Sequence, residues 1–175
     1  MKVELSLHPD CKPGSIADLS VEVAHDGNAW RLSYIVTGRI SHLVLPEPAD
    51  PRRAEDLWQT TCFEAFIRHA TGDAYGEFNF SPSRAWAAYH FDSHRSGMRE
   101  IELPKDPEIR IERSEGLLTL EAALTVTKEF TGDDLRLNLA AVIEEKDGTK
   151  SYWAVAHPPG EPDFHHPNCF VAPLP

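Results

Sequence analysis

The residues of this chain best suited to chemistry are aromatic rings and polar groups that recur close together. Leu57-Trp58-Gln59-Thr60-Thr61-Cys62-Phe63-Glu64-Ala65-Phe66 is the first such stretch. Tyr75-Gly76-Glu77-Phe78-Asn79-Phe80-Ser81-Pro82 is the second, followed by Trp86, Tyr89 and Arg95. Trp153 and Pro162-Asp163-Phe164-His165-His166-Pro167 come near the end. Aromatic rings supply rigid flat area, and Trp and Tyr add a polar tip. Glu64, Asn79, Arg95 and Asp163 supply convergent donors and acceptors. That mixture suits a pyranose, which has apolar C–H faces and a rim of hydroxyls. The ligand-binding candidates are therefore Trp58, Glu64, Asn79, Trp86, Tyr89, Arg95, Trp153 and Asp163. Trp58 and Trp86 border loops or turns and are favoured for stacking, whereas Trp30 lies on a cleanly alternating strand and reads as core. Glu64 projects from an apolar strand, where a carboxylate is costly unless paired. It is either a ligand acceptor or half of a buried ion pair with Arg53 or Arg95.

Other chemistries are less well served. A glycoside hydrolase needs two carboxylates about 5–9.5 Å apart, and Glu64, Glu77 and Asp163 are the candidates. Glu77 shares a strand face with Asn79, opposite Phe78 and Phe80, and that face reads as solvated. Ser81 lacks a Gly-x-Ser-x-Gly elbow. Cys62 sits in an apolar strand, the wrong place for a reactive thiolate, and no glycine-rich phosphate loop is present. The chain reads as a non-catalytic ligand-binding domain, with a carbohydrate-active enzyme and a partner-binding domain as alternatives. His157, Asp163, His165 and His166 are potential metal ligands, but adjacent histidines point apart on an extended chain and no pair has zinc spacing. His157, Asp163 and His165 are the residues to examine for a metal, and no cofactor is predicted.

The elements that must position these residues are strands. Leu19, Val21 and Val23 alternate with polar neighbours, as do Trp30, Leu32, Tyr34 and Val36, and Asp26-Gly27 between them predicts a hairpin. Leu43 to Leu45 reads as the end of a strand, Pro46 to Pro51 as a loop, and Arg52 to Leu57 as one helical turn. Thr61 to His69 is apolar on both faces and reads as a central strand. Tyr75 to Phe80 and Ala85 to Phe91 form a second predicted hairpin. Ile109-Ile111, Leu118-Leu124 and Leu135-Ile143 follow, and Asp147-Gly148 turns the chain into Tyr152-Ala156. Roughly ten short strands with no long helix predict an all-β, antiparallel β-sandwich spanning residues 1–175 as one domain.

Composition narrows the partners. The 175-residue chain carries a formal charge of −11, which repels phosphate backbones and anionic lipid. Neither nucleic acid nor a membrane is an expected partner. No stretch approaches the ~20 apolar residues of a membrane helix. The N-terminus alternates in polarity and has no secretory pattern. Three cysteines without CxxC spacing argue against a disulfide framework. These features predict a cytoplasmic protein, for which a small soluble saccharide is a better-suited ligand than an extracellular polymer.

From about Trp30 to Leu174, the order and spacing of these motifs resemble the DOMON-like superfamily, in the branch related to family 9 carbohydrate-binding modules. The matching features are Trp58, the acid Glu64 next to a Phe, the Tyr75…Phe-Ser-Pro strand, the Trp153 strand and the closing Phe164-His165-His166-Pro167 segment. The resemblance implies a β-sandwich that binds a sugar or haem. Family 9 modules carry two or three acids ahead of the strand matched by Phe63 to Ile67. Here Thr60, Thr61 and Cys62 stand there, leaving Glu64 as its acid. The haem alternative implies axial ligands from Met98 with His90 or His94.

Overall fold

Period-two alternation becomes β-structure wherever the sequence carries it. The computed structural model describes residues 1–173; Leu174, where the family resemblance ends, lies with Pro175 outside the described residues. In chain order the strands are β1 (Lys2–Leu7), β2 (Ile16–Asp26), β3 (Ala29–Gly38), β4 (Arg52–Arg53), β5 (Cys62–His69), β6 (Tyr75–Phe80) and β7 (Ala85–Phe91). They continue as β8 (Arg99–Glu100), β9 (Glu108–Arg113), β10 (Leu117–Thr125), β11 (Leu135–Glu144), β12 (Lys150–Ala154) and β13 (Ala172–Pro173). Both Asp-Gly hairpins form, β2 with β3 and β11 with β12. Among the described residues no helix is long and apolar enough to cross a membrane.

The strands hydrogen-bond along one path, β4-β7-β6-β5-β11-β12-β1-β2-β3-β10-β9, with β8 on β7 and β13 on β11. Strand β1 joins the two halves. Its start pairs with β2 through Lys2 to Leu5, and its end pairs with β12 through Ser6 and Leu7. The sheet curls so that the two halves share one core. Leu32, Tyr34 and Leu120 from one half join Phe63, Phe78 and Leu137 from the other. Tyr34 lies 5.1 Å from the Phe63 ring, and its hydroxyl donates to the Glu64 carbonyl at 2.7 Å. Burying each such large apolar side chain contributes about 1.5–3 kcal/mol. Gly76 has a steric role here, because a Cβ would meet Phe130 at 2.7 Å.

Several expectations change at the edges. The β4–β7 pair is parallel, so the sheet is mixed rather than antiparallel throughout. Arg52 and Arg53, read as helical from sequence, form that strand, and a short 3-10 turn follows at Leu57–Gln59. The cause is Arg53, whose guanidinium lies 4.4 Å from the Trp86 ring centroid and donates to the carbonyls of Ala88 and Ile101. Leu43 to Leu45 contributes one isolated bridge, Leu43 to Glu145, instead of a strand.

The long irregular segment after β12 positions the site. It lies across the outer face of β5, β6 and β11. Asn138 Nδ2 donates to the Phe164 carbonyl at 2.9 Å, and Arg68 donates to the Pro167 carbonyl at 3.3 Å. Phe164 and Phe170 pack there with Phe66, Tyr75 and Phe91 in a second apolar cluster. As a result β6 is buried along its whole length, on both faces.

Candidate functional site

Alternation along β5, β6 and β7 sends two sets of side chains in opposite directions. Phe63, Phe78, Phe80 and Trp86 enter the shared core. Glu64, Glu77, Asn79 and Tyr89 point outward and form the floor of a cavity of about 990 Å³. Glu64 stands opposite Asn79, and Glu77 stands opposite both Phe66 and Tyr89 in the ladders. Glu64 and Glu77 are therefore diagonal neighbours on one face. Trp58, from the 3-10 turn, forms part of the wall and is 53% exposed. Arg95 and Met98 come from the loop between β7 and β8, and Phe164 and His165 from the segment after β12.

The floor is polar, buried and incompletely paired. Asn79 Nδ2 donates to Glu77 Oε1 at 2.7 Å. Among the described residues, Glu64 Oε1 and Asn79 Oδ1 are buried with no hydrogen-bond partner. Such groups cost free energy until something donates to them. Burial, and then the neighbouring Glu77 carboxylate, push the Glu64 carboxyl well above its ordinary range, with Arg95 opposing. Burial raises Glu77 to about 7, against the pull of the Asn79 hydrogen bond and Arg95. The physical reason is shared: charge is hard to hold away from water, and harder beside a like charge.

A hydrogen-bonded chain fixes the adjoining wall. The Arg95 backbone N–H donates to the Tyr75 hydroxyl at 3.2 Å, and that hydroxyl lies 2.7 Å from His165 Nδ1. The other ring nitrogen of His165, Nε2, lies 3.7 Å from Glu77 Oε2. Burial, reinforced by Arg95, holds His165 down at about 4, so the ring is neutral near pH 7. The Arg95 side chain forks onto Asp163 Oδ1, with Nε at 3.1 Å and a terminal nitrogen at 2.8 Å. His94 takes the other Asp163 oxygen at 2.8 Å. Burial pushes the Asp163 carboxyl up, but these two partners outweigh it and hold it below its ordinary value. Arg95 has φ +53°, a region costly for a residue with a Cβ. The fork and the Tyr75 contact together hold it there.

The structure brings Trp58, Glu64, Asn79, Tyr89 and Arg95 to one cavity, with Asp163 behind Arg95. Trp86 and Trp153 are not among its lining residues. Trp86 is 3% exposed in the shared core, and Trp153 is buried there too, with its Nε1 donating to Ser151 Oγ at 3.0 Å. Both lie on the wrong parity of their strands: Trp86 is an odd step from Tyr89, and Trp153 is adjacent to Tyr152, which does line the cavity. Glu77, read from sequence as solvated, is buried because the segment after β12 covers its face. Of the two readings of Glu64 open from sequence, the ion pair with Arg53 or Arg95 does not form. Arg53 reaches Glu100 at 3.8 Å, and Arg95 is engaged by Asp163.

Of the three candidate metal ligands, Asp163 and His165 are neighbours, the His165 backbone N–H donating to Asp163 Oδ1 at 3.2 Å, and His157 is engaged elsewhere. His157 Nε2 meets the Ser6 carbonyl at 2.8 Å, beside His8, away from Asp163 and His165. Among the described residues, no three His, Cys, Asp or Glu side chains converge as a metal site. The axial pair implied for haem does not fit either. Met98 lines the cavity, but His90 is held by Glu129 and Asp92 beside Phe130, and His94 is bound to Asp163.

No family model and no curated protein matches this sequence. Solved structures do match. One is described as a "putative carbohydrate-binding protein" from Bacteroides uniformis ATCC 8492. It has a TM-score of 0.68 and 14% identity over 97% of this chain and 84% of its own. Another is a family 9 carbohydrate-binding module from Caldicellulosiruptor kristjanssonii in complex with glucose. It has a TM-score of 0.52 and 11% identity over 90% of this chain and 76% of its own. At these identities the likeness is one of fold, and the fold this all-β chain shares is that of these two proteins.

Proposed function

We propose that this protein binds a small saccharide in the cavity on the outer face of β5, β6 and β7. The observation that carries the reading is the meeting of an exposed Trp58 ring with buried, unpartnered acceptors on Glu64 and Asn79 in one cavity of about 990 Å³. Ligand sites are typically about 300–1,000 Å³ with a few convergent polar groups. Trp58 and Tyr89 offer faces to a pyranose, and Glu64, Glu77 and Asn79 take its hydroxyl protons. The fold-sharing module that holds glucose supports the same chemistry. An open cavity speaks against a site filled by its own side chains and used only to dock a partner.

The test is calorimetric titration of the protein with D-glucose and a panel of mono- and disaccharides. The expected result is saturable binding that weakens at least tenfold in Trp58→Ala, whose unfolding temperature stays that of the wild type. Absence of binding across the panel in well-folded protein would reject the proposal.

A further inference from the structure

The charge of the cavity says which saccharide. Among the described residues it is lined by six carboxylates, Glu55, Asp56, Glu64, Glu77, Glu100 and Glu161, against two guanidiniums, Arg95 and Arg99. Both guanidiniums are already engaged by acids outside that lining. Arg95 is forked onto Asp163, and Arg99 reaches Asp92 at 2.6 Å. Only Glu100 of the six has a cationic side chain within ion-pair distance, Arg53 at 3.8 Å. His165, the remaining titratable base at the floor, is neutral near pH 7 and stands 3.7 Å from Glu77. The cavity thus carries more acid than base, and Glu64 and Glu77, whose burial favours the neutral acid, gain their charge when a cation sits against them.

The hydrogen-bond inventory has the same sign. The buried atoms without partners on the floor are Glu64 Oε1 and Asn79 Oδ1; Asn79 Oδ1 only accepts, and the Glu64 carboxyl is acceptor-only once it has ionised. A hydroxyl brings one proton and no charge. An ammonium brings three protons and a positive charge, and it carries no acceptor to meet the carboxylates. Acylating the nitrogen removes the charge, and with it the gain from ionising the two buried carboxyls. Sugars bearing carboxylate, phosphate or sulfate bring more of the charge that burial and like-charge repulsion already disfavour on this floor.

We propose that the cavity selects an amino sugar whose nitrogen is free rather than acylated, with its ammonium seated between Glu64, Glu77 and Asn79. The proposal rests on the saccharide reading of the site and narrows it.

The test is titration of the protein at pH 7.0 with D-glucosamine, N-acetyl-D-glucosamine, D-glucose and ethanolamine. At that pH an amine in the α-amino range of about 7.7–8.0 is mostly protonated. The expected result is binding of D-glucosamine at least tenfold tighter than that of the other three. In Glu64→Gln the preference for D-glucosamine over D-glucose falls below threefold; Glu77→Gln gives the same reading should Glu64→Gln not fold. Equal or tighter binding of D-glucose or N-acetyl-D-glucosamine overturns the amine and leaves the saccharide reading standing. Ethanolamine binding as tightly as D-glucosamine overturns the sugar. A preference that persists in both variants overturns the assignment to these carboxylates. Binding of none of the four removes the amino-sugar proposal, and the saccharide reading falls with it only if the wider panel is silent too.

Discussion

Strands β3 and β6 belong to the same curled sheet and treat their second faces differently. In β3, Trp30, Leu32, Tyr34 and Val36 are buried while Arg31 between them is exposed. In β6 every residue is buried, the apolar Phe78 and Phe80 toward the core and the polar Glu77 and Asn79 toward the cavity. The segment after β12 covers the outer face near β6. It leaves the outer face of β3 wet. Burial therefore does not separate core from site in this molecule, because both faces of β6 are equally dry. What separates them is polarity without partners, present on one face of β6 and absent from the other.

The sharpest way to break that contrast is a pair of tryptophans. Trp86→Ala empties a core position and should cost about 3–5 kcal/mol, whereas Trp58→Ala on the cavity wall should change stability by less than about 0.5 kcal/mol. Denaturant unfolding of both variants reads the difference, and comparable losses would mean that the two faces are not distinct. Next comes pH. Glu77 is raised to about 7 in the folded protein against an ordinary 4.5. A carboxyl with a raised folded value gives stability that is present below about 4.5 and lost as pH climbs through about 7. Glu77→Gln should thus gain roughly 3 kcal/mol relative to wild type between pH 4.5 and pH 8. Comparing the two proteins cancels His69, which is raised by Asp134 and Glu129 and loses stability in the same direction; Glu64 does not cancel, because Glu77 is one cause of its raised value. A flat difference between them would show that Glu77 stays hydrated.

A smaller effect is expected from Asp163→Asn, which weakens the Arg95 fork and the His94 contact. Asp163 is partly exposed, so about 1–2 kcal/mol is expected, or some 2–8 °C in thermal unfolding. The smallest belongs to the wet face. Arg31 and Glu121 approach to 3.9 Å on exposed side chains, and Arg31→Ala should shift stability by less than about 0.5 kcal/mol. A loss well above that would mean the outer face of β3 is covered too.

Much of the fold was legible because local patterns and tertiary contacts agree. Asp26-Gly27 and Asp147-Gly148 announced their hairpins, and the apolar double face of Cys62 to His69 announced a central strand. Strands β4, β8 and β13 were not legible. Each has two residues, too few for alternation, and exists because a longer neighbour supplies the pairing. At the cavity, residue type singled out Trp58, Glu64, Asn79, Tyr89 and Arg95, which the fold brings together. Strand parity, also present in the sequence, was the signal that could have removed Trp86 and Trp153 and admitted Tyr152. Glu77 needed more than parity. Its burial depends on a segment that begins some eighty residues later and carries no periodic pattern of its own, so nothing local distinguishes it from a solvated glutamate.

The covering segment also gives the site an order of assembly in time. Glu64 and Glu77 leave the ribosome about a hundred residues before Phe164 and His165, a lag of roughly 5–20 s at ordinary synthesis rates. For that interval the floor strands can pair with each other while their carboxylates stay hydrated and ordinary in acidity. The desolvation that raises their pKa values is complete only when the last wall arrives. The nascent chain can therefore pair its floor strands without meeting the electrostatic cost of the cavity, which falls due only when the segment after β12 arrives and most of the core is already available to support it.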